Sequence, residues 1–372
     1  MKKALMFIVV AVVQIVFAAT PQVKNVKAFQ QYPWENKVYI SYEVVGDIPS
    51  ESVLAVTAKD KTSGKTYDAT LLSGDTGAAA GLHKIVWDAG AQGVSINSAN
   101  VVFTVIYNHA YIVIDLSGGA NATSYPISYL EAVPSGGWSD SYKTTKLVLR
   151  SLTAGTYKMQ NTSNVTLTKP FYIGVFEVTQ KQWELVMGSN PCSRTLYGKG
   201  NNYPVHHVSY NNIRGSSDGA KWPSSSAVDS DSFMGKLRAR TGLGFDLPTE
   251  AQWEYACRAG TTTTYYWGNS MNGNYAWYPD NSSGTSHIVG TKTPNAWGLY
   301  DMSGNLFEWC LDWHGALAYG TDPKGSSSGT YRVVRGGGFD GRADYCTSPN
   351  RMIYYDPSSG FGSFGFRLVV TL

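Results

Sequence analysis

The stretch Asn295-Ala-Trp-Gly-Leu-Tyr-Asp-Met-Ser-Gly-Asn-Leu-Phe-Glu-Trp-Cys-Leu-Asp-Trp313 decides how the rest of the chain is read. It sets Trp297, Tyr300, Phe307, Trp309 and Trp313 around three acids, Asp301, Glu308 and Asp312, and around Gly298, Gly304 and Asn305. Neither the helical nor the strand period runs through it, so its rings must be buried by folding a loop over a core. Its carboxylates, once buried, must find partners. The stretch is predicted to be an organised loop.

The 372 residues are enough for about two domains. Charged residues make up only 15%, while aromatics reach 13% and glycine numbers 39, a balance that suggests an extracellular, loop-rich protein. The net charge of +3 comes from no basic block, which excludes an electrostatic footprint for nucleic acid or an anionic membrane surface. Lys2 and Lys3, an apolar run from Ala4 to Phe17 and the small residues Ala18 and Ala19 read as a secretory signal peptide over residues 1–19, with an uncleaved anchor as the alternative. The run is short for a membrane span, and no later segment is apolar enough for one. The expected location is therefore outside a bacterial cytoplasm: secreted, periplasmic or on the cell surface. Four cysteines, Cys192, Cys257, Cys310 and Cys346, permit one or two disulfides in such a compartment, and sequence does not choose the pairing.

From residue 20 to 110 the pattern is period-2. Lys37–Val45, Ser52–Ala58, Thr66–Leu72, His83–Asp88 and Val101–Tyr107 are strand candidates, spaced as in a small immunoglobulin- or fibronectin-like β-sandwich. It carries no catalytic constellation. At Tyr111–Asp115 a new strand opens a second domain, 111–372. There Thr179 and Gln182 form a capping box ahead of a helix over Gln180–Met187, and Asp231–Thr241 has Phe233, Met234 and Leu237 as its buried stripe. Thr249 and Gln252 start the clearest helix in the chain, with Gly260 at its end where positive φ is cheap. Glu250, Glu254 and Arg258 on it read as scaffold ion pairs and caps rather than catalytic groups. His206 and His207 are adjacent and expected to point to different sides, which disfavours a shared metal.

Phe171-Tyr-Ile-Gly-Val-Phe-Glu-Val-Thr179, Pro204-Val-His-His-Val-Ser-Tyr210, Phe245-Asp-Leu-Pro-Thr-Glu-Ala-Gln-Trp-Glu-Tyr-Ala-Cys-Arg-Ala-Gly260 and the Gly298–Trp309 wording follow one another in the chain. Together they resemble the formylglycine-generating enzyme family, the sulfatase-modifying factors, with Asp246 where the family has arginine. The resemblance implies an α+β protein: the N-terminal β-sandwich followed by an irregular C-type lectin-like domain with little regular secondary structure. It also implies one calcium, on the side chains of Asp301 and Glu308 and the carbonyls of Gly304 and Leu306. Read from the residues alone, the two acids equally suit the amides of a tight loop. The family's oxidase chemistry uses copper held by two thiolates in R-G-G-S-x-x-C-x-x-x-x-C. Here Arg335-Gly-Gly-Gly-Phe-Asp-Gly-Arg-Ala-Asp-Tyr-Cys346 keeps Cys346 but has Gly341 at the first cysteine. One thiolate does not make a bis-thiolate site, so copper is not expected, and Cys346 is a catalytic candidate only if the protein is an oxidase after all.

The framework Arg335-Gly-Gly, Cys346, Asn350-Arg351 and Gly365-Phe-Arg367 also resembles lectin-fold variable proteins of diversity-generating retroelements. Between the framework residues lie Asp340, Arg342, Asp344, Tyr345, Ile353, Tyr354, Tyr355 and Phe361. Such mixtures suit adaptable binding loops, because tyrosine supplies contact area at low entropy cost. These eight are the candidate ligand-binding residues, for a protein or glycan partner. An ordinary family member that has lost its first cysteine is the competing reading.

Overall fold

The computed structural model describes residues 7–8, 22–30, 36–46, 48, 52–77, 79–95, 100–192 and 195–371. The signal-peptide expectation falls almost wholly outside them. The chain divides into two compact units between Ala110 and Tyr111, with residues 153–155 and 168–170 grouped with the first.

The first unit is two facing antiparallel sheets. Strands Gln22–Gln30, Lys37–Val45, Gly81–Asp88 and Leu72–Gly74 neighbour one another in that order in one sheet, and Thr66–Asp68, Val53–Asp60 and Val101–Asn108 in the other. Lys37–Val45 alternates as its sequence does: Val38, Ile40, Tyr42 and Val44 are buried against Trp87, Phe103 and Val56. Burying alternate residues of both sheets is what makes a sandwich fold.

The second unit is mixed. Its largest sheet has the order Ile127–Leu130, Tyr111–Asp115, Lys146–Leu152, Phe171–Gly174, Val369–Thr371, Phe245–Asp246, so Val369–Thr371 pairs one strand in from an edge. A second sheet has the order Met352–Tyr355, Arg332–Arg335, Phe307–Trp313, Phe364–Gly365. Helix Gln180–Met187 carries the expected capping box, and Trp183 stacks on Phe233 of the Phe233–Thr241 helix at 5.0 Å between ring centroids. Helix Glu250–Arg258 also has its capping box, and it ends in two left-handed residues, Ala259 at φ 45° and the expected Gly260 at φ 88°.

One expectation changes. The second half of the opening stretch is a strand, Phe307–Trp313, pairing antiparallel with Arg332–Arg335 and parallel with Phe364–Gly365. Six of its seven residues are buried, so no polar face remains to produce alternation. In the stretch Phe171–Thr179, the strand stops at Gly174, and Glu177 turns into the interior.

Limited proteolysis of the native protein is expected to cut near Asn108–Tyr111 and to release a stable fragment carrying 111–372. A core that resists cleavage across that boundary, while cleavage occurs elsewhere, would contradict the division.

Candidate functional site

The opening stretch turns under Trp277. Gly304 and Asn305 both have positive φ, 79° and 63°, and a Cβ on Gly304 would strike the Trp277 backbone. The turn aims Asn305 Nδ2 and the Leu306 N–H at the two oxygens of Glu177, at 2.6 and 3.0 Å. Asp301 accepts the Gly290 N–H at 2.7 Å. Glu308, at the start of its strand, accepts Trp253 Nε1 at 2.7 Å and is gripped by Arg367, whose Nε and Nη2 reach its oxygens at 2.7 and 2.6 Å. Glu308 alone is paired with the Arg367 guanidinium, whose charge Glu177 and Asp301 also feel. Burial, then the charges of Asp301 and Glu308, push the Glu177 carboxyl well above its usual range, and burial pushes Asp301 up to about 6.

This geometry bears on calcium, which collects roughly six to eight oxygen ligands. Both Glu308 oxygens already face Arg367 and Trp253, so a calcium ion on Glu308 would have to displace the arginine. The residues as arranged do not fit the ion there. Asp301, Gly304, Leu306 and Glu308 do lie in one turn, but that turn is held by hydrogen bonds and an ion pair. Among the described residues no group of three or more His, Cys, Asp or Glu is placed to hold a metal.

Glu250 and Glu254 are structural. Arg351 forks onto Glu250 at 2.8 and 2.7 Å, while Glu254 pairs with Arg258 at 2.8 Å and with Arg335. Asp246 finds Arg214 at 2.6 Å and Arg238 at 2.9 Å. Asp312 accepts the Glu250 N–H at the helix start, and burial with the nearby Glu250 carboxylate pushes it up to about 7.

All four cysteines are buried free thiols, so neither of the permitted disulfides forms. Burial pushes the Cys346 thiol up to about 12. At Gly341 a Cβ would come within 2.9 Å of the Phe307 ring and 3.3 Å of Tyr345. Phenylalanine and tyrosine therefore fill the space where a second thiolate would stand.

The C-terminal candidates are partly brought together. Phe364 is the hub: its ring centroid lies 4.3 Å from Tyr355, 5.0 Å from Phe361 and 5.3 Å from Phe307, and Tyr345 lies 6.3 Å from Phe307. Phe361 is 38% exposed, an unusual position for a phenylalanine that has an aromatic core beside it. Asp340 stands exposed next to this cluster with the Ser363 hydroxyl on its carboxyl. Arg342 forks onto Asp344 in solvent at 3.0 and 3.1 Å. The side chains of Ile353 and Tyr354 lie outside the described residues.

Sequence reasoning missed the second wall of this face. The His207 N–H donates to the Phe361 carbonyl at 2.9 Å, Tyr197 packs edge-on to His207 at 5.1 Å, and Leu196 beside it is 66% exposed. The two histidines do not point apart: their Nδ1 atoms are 2.7 Å from each other, because His207 adopts φ 57° and turns its ring back. No residue pattern announces a left-handed histidine.

A family model described as the sulfatase-modifying factor enzyme 1-like domain matches residues 139–372. The chain belongs to that family. The chain is similar to a protein named chaperone protein LppX from Paenibacillus barcinonensis, 32% identical over 50% of this chain and 76% of that protein. A formylglycine-generating enzyme from Thermomonospora curvata is 34% identical over 39% of this chain and 47% of its own, so the chain spans about half of that enzyme. Among solved structures, Treponema denticola variable protein 1 superposes with a TM-score of 0.50 at 27% identity, covering 61% of this chain and 96% of that one.

Because the Asp312 carboxyl is raised on folding, its contribution to stability is complete below the unfolded carboxylate range near pH 4 and is lost as pH rises through about 7. Asp312→Asn keeps an acceptor for the Glu250 N–H without the buried charge. Its Tm relative to the parent is expected to improve from pH 5 to about 7 and to level off above; a constant difference from pH 5 to 7 would contradict the assignment.

Proposed function

We propose that this is an exported binding protein on the sulfatase-modifying-factor fold, and that its C-terminal loops hold a protein partner instead of oxidising a cysteine. The observation that carries the reading is the pairing of Gly341 with Phe307 and Tyr345: the position where the family's first thiolate would stand is backed by rings, and those rings continue to the exposed Phe361. The likeness to Treponema denticola variable protein 1 supports it, as does the burial of Cys346, which raises its thiol to about 12. The charged leader, apolar run and small residues of 1–19 support export, and no helix among the described residues is long and apolar enough to cross a membrane. Retroelement diversification of the stretch from Arg335 to Arg367 is part of the same proposal; it requires a reverse-transcriptase gene nearby and a near-copy of this stretch with adenines at the varied codons.

Given copper(I), oxygen and a peptide bearing a sulfatase-type cysteine motif, the purified protein is expected to form no aldehyde. Phe361→Ala is expected to weaken partner binding by about 2 kcal/mol, the scale of an interface hot spot, with little change in Tm. Aldehyde formation by the unaltered protein would replace this reading with the oxidase one.

A further inference from the structure

The aromatic face carries exposed carboxylates that no cation answers among the described residues, and Asp340 is the one set against the Phe307 ring. Asp344 is forked by Arg342, and Asp356, beside Tyr355, accepts the Ser358 N–H and hydroxyl at 2.7 and 2.5 Å. Asp340 has no ion pair among the described residues and only the Ser363 hydroxyl as a side-chain partner. Its Oδ1 lies 3.4 Å from the point where a Gly338 Cβ would stand, and the Phe307 ring lies 2.9 Å from that same point. Its charge is also felt at Tyr355, which packs on Phe361 at 5.4 Å. A lone carboxylate set among aromatic rings is the arrangement that receives a cation: the carboxylate supplies charge and hydrogen-bond acceptors, and the ring faces supply cation–π attraction.

We propose that this face binds a basic side chain, lysine or arginine, of a protein partner, seated on Asp340 with Tyr355 and Phe361 against its stem. The proposal rests on the binding reading above and adds the chemistry of the group recognised. The stem of such a side chain is apolar and its head charged, matching rings beside a carboxylate.

The test uses the full chain and three capped tripeptides, acetyl-Gly-X-Gly-amide with X lysine, norleucine or glutamate, titrated by NMR, with choline as a free small cation. The lysine peptide is expected to bind about tenfold more tightly than the norleucine peptide, with affinity falling as salt rises. Asp340→Asn, which preserves shape, is expected to remove that preference while leaving norleucine binding and Tm unchanged. Choline binding as tight as the lysine peptide would replace the protein side chain with a free ammonium ligand and so overturn the proposal. Equal binding of lysine and norleucine, or an unchanged preference in Asp340→Asn, would overturn the cation inference while the apolar binding face stands. If no peptide binds and Phe361→Ala changes nothing, both readings fall together.

Discussion

The buried pair between Glu308 and Arg367 holds the second unit in register. Glu308 begins a strand of the four-stranded sheet, and Arg367 lies between Phe364–Gly365 of that sheet and Val369–Thr371 of the six-stranded one. The guanidinium also donates to the carbonyls of Gly174 and Tyr300 at 3.0 Å each, and Trp253 brings in the Glu250–Arg258 helix. One ion pair therefore ties two sheets, a helix and the turn of the opening stretch. Because both partners are fully buried, removing either would leave an uncompensated charge, typically at a cost of about 3–5 kcal/mol.

The same logic repeats through the unit. A domain with little regular structure has few backbone ladders to fix its loops, so long arginines reach across and satisfy carbonyls and carboxylates from several segments at once. Arg214, Arg332, Arg335 and Arg367 are all buried and do this work. The family's arginine at position 246 is an aspartate here, and it is tolerated because Arg214 and Arg238 close on it. Rigid loops of this kind can carry a variable surface: Phe361, Asp340 and Arg342 stand out from a floor, Phe307 and Phe364, that is fixed from below.

What could be read from sequence follows the range of the interactions involved. The capping boxes at Thr179 and Thr249 were legible because cap and partner are three residues apart. The sandwich strand Lys37–Val45 was legible because one face is wet and one dry. Phe307–Trp313 was not, since a strand buried on both faces loses the period that marks it. The role of Glu308 was half legible: the sequence demands a partner for a buried acid, but whether that partner is a metal or an arginine 59 residues away depends on packing that no local pattern encodes. His207 and Tyr197 joined the C-terminal face for the same reason, through a backbone conformation and long-range contacts.

The central claim is that Glu308 of the opening stretch is held by Arg367 of the chain itself. Thermal unfolding in excess calcium and in excess chelator tests it most directly, because a ligand bound only by the folded state raises Tm with its concentration. The account predicts superimposable melting curves in the two conditions. A Tm that rises with calcium, and no longer does so in Glu308→Gln, would show that the ion and not Arg367 is the partner of Glu308.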